Sequence, residues 1–105
     1  MSATTSTFLL TAAGNGTGAA VRIQDTMHPQ RTALRTLYVY GTFDSSTTKL
    51  QYSPDMADPP VNWFDVSGAD AVTASTIKNV EGRAIWARVI VSGGGGSEEI
   101  TVRLI

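Results

Sequence analysis

The chain has no cysteine and a single histidine in 105 residues. The first absence excludes disulfides, thiolate metal sites, iron–sulfur clusters and thiol catalysis, and it fits a reducing compartment. The second leaves His28 as the one imidazole. A Ser-His-Asp arrangement needs that base held by a carboxylate and aimed at an activated hydroxyl. Asp25 lies near it in sequence, but nothing marks a nucleophile elbow, and His28 beside Pro29 reads as a loop residue. Charge is also scarce, at 16% of residues against about 25% in typical soluble domains. The net charge of −1 carries no basic footprint of the kind duplex binding needs. No apolar run approaches a transmembrane length. Residues 1–7 lack a positive n-region, and the apolar run from Phe8 to Leu10 is too short for a signal peptide. A soluble product made in the cytoplasm is expected, with neither nucleic acid nor membrane as a partner.

In place of charge the chain has Thr, Ser and Gly. Its length suits one domain, burying roughly 65% of the surface of the unfolded chain. Phe8 to Thr11 reads as a first strand after a flexible arm, residues 1–7. Gly14-Asn15-Gly16-Thr17-Gly18 is a turn signal, and Ala20 to Gln24 then alternates with period two. These two runs are expected to pair as a hairpin. Asp25 to Leu34 is irregular and reads as a crossing loop. Arg35 to Phe43 places Leu37, Val39 and Phe43 on one face and Tyr38 and Tyr40 on the other, the pattern of a central strand. Lys49 to Ser53 sends Leu50 and Tyr52 inward, and Pro54-Asp55 and Asp58-Pro59-Pro60 break the ladder. Trp63 to Val66 and Thr76 to Val80 read as further short strands. Ile85 to Ser92 and Ser97 to Ile105 flank Gly93 to Gly96, a common hairpin loop length. A hairpin there sets Ile85 opposite Leu104, Ala87 opposite Val102, Val89 opposite Ile100, and Trp86 opposite Arg103. Short strands without an amphipathic helix predict a single all-β domain over residues 8–105. The expected form is an antiparallel β-sandwich, jelly-roll or immunoglobulin-like.

The residues that bear chemistry have structural readings. Asp55 and Asp58 sit in a Pro-rich turn without the ladder of oxygen ligands that calcium wants. Glu98 and Glu99 are adjacent on a strand, point to opposite faces, and read as solvated charge near a hairpin tip. Gly93 to Gly96 joins two strands and lacks the Lys-Ser or Lys-Thr of a phosphate loop. Asn15-Gly16-Thr17 matches a glycosylation acceptor only in form. Tyr38, Tyr40, Trp63 and Trp86 can be read as sandwich packing or as a stacking platform for sugars. No catalytic residue, cofactor or metal ligand is assigned.

Two stretches, Gly41 to Val66 and Arg83 to Ile105, resemble small β-sandwich virion proteins of tailed bacteriophages. The matching residues are Gly41-Thr42-Phe43, Leu50-Gln51-Tyr52-Ser53-Pro54-Asp55, Trp63 with Asp65-Val66, and the closing strand pair. In such proteins this run is followed by a Gly-rich hairpin and a Thr-Val-x-Leu end. Here Met56 to Pro60 replaces the usual short Gly-rich turn. The resemblance implies a capsid decoration (cement) protein on the virion surface. Its implied partners are the major capsid protein and further copies of itself, most simply as a homotrimer. Candidate contacts are Thr4, Thr5, Thr7 and Phe8 of the arm, with Trp86, Ile90 and Arg103 on the outer face of the final hairpin. A neck or tail position is the first alternative. A carbohydrate-binding module using Trp63 and Trp86 is the second.

Overall fold

A computed structural model describes residues 8–12, 15–23 and 35–105. His28 and the loop expected at 25–34 lie outside the described residues, as do the arm candidates Thr4, Thr5 and Thr7. Among the described residues nine strands follow one another: β1 (Phe8–Ala12), β2 (Gly16–Thr17), β3 (Val21–Arg22), β4 (Arg35–Thr42), β5 (Thr47–Ser53), β6 (Phe64–Asp65), β7 (Thr76–Val80), β8 (Trp86–Ser92) and β9 (Glu99–Leu104). They form two antiparallel sheets, in the orders β1-β9-β4-β7 and β2-β8-β5-β6, with β3 also paired to β8. The fold is an all-β sandwich.

Alternation along the strands builds the core. Leu37 and Val39 of β4, Leu50 and Tyr52 of β5, Ala87, Val89 and Val91 of β8, and Ile100, Val102 and Leu104 of β9 all point inward and pack into one cluster. Burying a side chain of this kind contributes about 1.5–3 kcal/mol. β4 is central, between β9 and β7, as its two apolar faces predict. Lys78 of the edge strand β7 lies opposite Leu37 yet reaches solvent, an inward-side charge that blunts the edge against further pairing.

Both expected hairpins are absent, and in each case the reason is the same. β8 and β9 belong to different sheets: Ala87 lies opposite Tyr52 and Val21, whereas Val102 lies opposite Val39 and Leu10. Trp86 therefore pairs with Ser53 and Arg22, and Arg103 with Tyr38 and Leu9. Likewise β1 pairs with β9, while β2 and β3 pair with β8. Both connections, and the one from β4 to β5, are arches that carry the chain from one sheet to the other. An arch and a hairpin leave the same alternation in the sequence, because the inward residues meet across the core instead of side by side.

The three arches stack at one end, and short polar side chains tie them together. Asn15 accepts from the Gly94 N–H at 3.0 Å, and its own backbone N–H donates to Glu98 Oε2 at 2.9 Å. Asp44 accepts from the Gly95 N–H through its carbonyl at 3.1 Å and from the Ser97 N–H through Oδ2 at 2.9 Å. Asp44 and Ser45 hold φ values of 47° and 67°, a sharp reversal for non-glycine residues. Positive φ values of 81° and 114° account for Gly93 and Gly96, and close approach for the two glycines between them. A Cβ at Gly94 would strike the Glu98 carboxylate, and one at Gly95 the Asp44 carboxylate.

Candidate interaction surfaces

The two sheets present very different outer faces. On the β8–β5 sheet the outward residues are joined to one another. Arg88 Nε donates to Gln51 Oε1 at 2.8 Å, and Gln51 Nε2 donates to Asp65 Oδ1 at 2.8 Å. Lys49 Nζ lies 3.4 Å from Asp65 Oδ2. The Gln51 amide and the Lys49 ammonium hold the Asp65 carboxyl below its ordinary value. Arg88 stacks on the ring of Trp63, 4.1 Å from its centroid, and partial burial lowers the guanidinium's proton affinity.

The loop after β5 closes the far end of the same face. Trp86 Nε1 donates to the Asp55 carbonyl at 3.1 Å, and Arg22 lies 5.7 Å from the Trp86 ring centroid. Only 7% of Trp86 is exposed. The Asp55 carboxylate accepts from the N–H groups of Asn62 at 2.8 Å and Val61 at 2.6 Å, and from the Asn62 amide at 3.1 Å. Those donors, the Asn62 N–H first, lower its pKa. Its oxygens are engaged in turn chemistry, as its Pro-rich setting suggests. Met56, Val61 and Phe64 remain exposed on this loop side.

On the β9–β4 sheet the outer face is open. The strand register aligns Leu9, Arg103, Tyr38 and Ile77 in one row across all four strands. Leu9 is 51% exposed, Ile77 63% and the neighbouring Tyr40 41%. Arg103 Nε donates to the Tyr40 hydroxyl at 3.0 Å, which holds the cation within the aromatic pair. Glu99 and Arg103 are the charged residues that the described strands place on this face.

The sequence candidates therefore do not form one patch. Trp86 and Ile90 lie on the outer face of the β8–β5 sheet, with Trp86 packed under the loop and Ile90 partly exposed. Arg103 lies on the opposite side of the sandwich. Phe8 opens β1 opposite Leu104. The aromatic platform divides in the same way: Tyr38 and Tyr40 share one face, Trp63 and Trp86 the other. The cross-sheet pairing sets Leu9 beside Arg103 and Ile77 beside Tyr38, contacts that a terminal hairpin does not contain. Their signal is the second, outward apolar set of β1, β4 and β7.

Glu98 is buried, not solvated as its place near a loop suggests. Its own backbone N–H and those of Gly96 and Asn15 hold its pKa low, and the Gly96 contact measures 2.7 Å. At the end away from the arches a cleft of about 310 Å³ is lined by Tyr52, Pro54, Phe64, Val66, Glu81 and Arg83, among others. The Tyr52 hydroxyl is buried and has no hydrogen-bond partner among the described residues, and burial raises its pKa while the charge of Arg35 opposes the shift. Among the described residues, no three His, Cys, Asp or Glu side chains gather as a metal site.

The geometry defines an antiparallel two-sheet sandwich with one networked and one open outer face. No protein-family model matches the sequence, and no curated protein or solved structure shows significant similarity to it.

Proposed function

We propose that this chain is a non-enzymatic structural protein of a tailed-phage virion, of the capsid-decoration type. In this role it binds the outer surface of the shell, with the major capsid protein as partner, and stabilises it as a homo-oligomer. The sequence resemblance over Gly41–Val66 and Arg83–Ile105 suggests the particle. The observation that carries the associative role is the exposure of Leu9, Tyr40 and Ile77 around Arg103, with half-buried Tyr38 in the same row. Contiguous exposed apolar surface on a small domain marks an interaction site, and aromatic residues with Arg are the residue types that anchor interfaces. Self-association also suits a decorating module, because linked copies convert weak shell contacts into strong attachment.

The test is reconstitution. Purified protein added to capsids lacking it should bind and raise their melting temperature, and failure to bind sinks the reading. Copy number in intact virions separates decoration, with hundreds of copies, from a neck or tail ring with few.

A further inference from the structure

We propose that the Asn15–Gly16 step is a self-modification site: the chain converts Asn15 to aspartyl and isoaspartyl forms, and the product loosens the arch end. The chemistry belongs to the chain itself and does not depend on the virion role. The Gly16 nitrogen gives its proton to solvent hydroxide and attacks Asn15 Cγ. A Cγ–N bond forms, the Cγ–Nδ2 bond breaks, and ammonia leaves from a cyclic succinimide. Water then opens the ring at either carbonyl, so the net change is amide plus water to carboxylate plus ammonia. Nothing is oxidised or reduced.

The sequence has three asparagines, followed by Gly16, Trp63 and Val80. Attack requires the following nitrogen to swing onto the side chain, and a side chain on that residue obstructs it. Gly16 has none, and nothing lies within 4 Å of where its Cβ would sit. Asn15 and Gly16 are both exposed. β2 is only two residues long, so it opens locally at much less cost than the core strands. The Gly94 N–H donates to Asn15 Oδ1 at 3.0 Å, the atom on which negative charge builds as the nitrogen attacks. The other two sites are hindered. Asn62 is bound through its N–H and amide to the Asp55 carboxylate, and Trp63 follows it under Arg88. Asn79 lies in β7 against Thr36, before buried, β-branched Val80.

The product acts on the arches because Asn15 ties two of them. Its Nδ2 donates to the Gly94 carbonyl at 3.4 Å, and an aspartate has no donor to offer there. Its backbone N–H donates to Glu98 Oε2 at 2.9 Å, so a carboxylate at position 15 stands near a second one. The isoaspartyl form also adds a methylene to the main chain ahead of β2, which displaces the N–H groups that follow from their partners.

The experiment is ageing of the folded full chain at mildly alkaline pH, with samples digested and mapped by mass over days. The peptide carrying Asn15 should gain one mass unit and split into two chromatographic forms. Its conversion should be about tenfold or more faster than at Asn62 or Asn79. Aged protein should melt at a lower temperature than fresh protein, and Asn15→Asp should share the loss of its aspartyl fraction. If that variant does not fold, the melt of the separated aged fractions decides the point. Conversion of Asn15 only in denaturant, equal conversion at all three asparagines, or an aged protein that melts like the fresh one overturns the inference.

Discussion

The two outer faces of the sandwich use the same residue types to opposite ends. On the β8–β5 sheet, Arg88 lies against Trp63, Arg22 against Trp86, and Gln51 and Asp65 complete the polar contacts. Cation and ring satisfy each other within the chain. On the β9–β4 sheet, Arg103 reaches one phenol hydroxyl while Leu9, Tyr40 and Ile77 stay exposed. A tryptophan or an arginine is therefore not evidence of a binding surface until its neighbours are known. The face with both tryptophans has its rings and cations paired, although Met56 and Val61 of its covering loop stay exposed, whereas on the other face the strands themselves leave Leu9, Tyr40 and Ile77 exposed.

This contrast predicts how substitutions on the two faces differ. The largest effect belongs to Trp86→Ala, which removes a packed indole and its bond to the Asp55 carbonyl. Chemical denaturation should show a loss of about 3–5 kcal/mol, the usual cost of truncating a buried aromatic. Arg88→Ala comes next, at about 1–2 kcal/mol, since it removes the Trp63 stack, the covering aliphatic stem and the Gln51 bond. Arg88→Lys keeps the charge but loses the planar stack, so most of that loss should persist.

Acid should act more weakly, and on the arches and the loop. Glu98 and Asp55 have folded pKa values below their ordinary values of 4.5 and 3.8, because backbone N–H groups bind the carboxylates. Their contribution is complete above those ordinary values and is lost as pH falls through the depressed folded ones. A melting-temperature series between neutral pH and strong acid should stay flat until about pH 4.5 and then fall. Glu98→Gln should flatten part of that fall. The smallest stability effect is expected on the open face, where Ile77→Thr should stay within about 0.5 kcal/mol in the monomer. An equal loss for Ile77→Thr and Arg88→Ala in dilute protein would erase the distinction between the faces.

Much of the strand content was readable in advance, because period-two alternation marks Leu37 and Val39, Leu50 and Tyr52, and the terminal strands. The ends of β7 and the central place of β4 also follow from local pattern. Partnership did not, since the inward set of β8 suits a neighbour in its own sheet as well as one across the core. What decides between them is the arch end. There Asn15, Asp44 and Glu98 bind one another's loops across large sequence separations, and no local signal encodes that. The misplaced partnership carried through to the surface, placing Trp86 beside Arg103 when the two lie on opposite sides. Trp86 also shows how an outward strand position can be buried by a loop, here one anchored by Asp55 some thirty residues away.

The most direct test of the open face is residue-resolved NMR of the full chain as concentration rises. Amide and side-chain shifts should move at Leu9, Tyr38, Tyr40, Ile77 and Arg103, and stay fixed at Lys49, Gln51, Trp63 and Arg88. Movement on the β8–β5 face instead, or no movement on either face up to about 1 mM, would contradict the account.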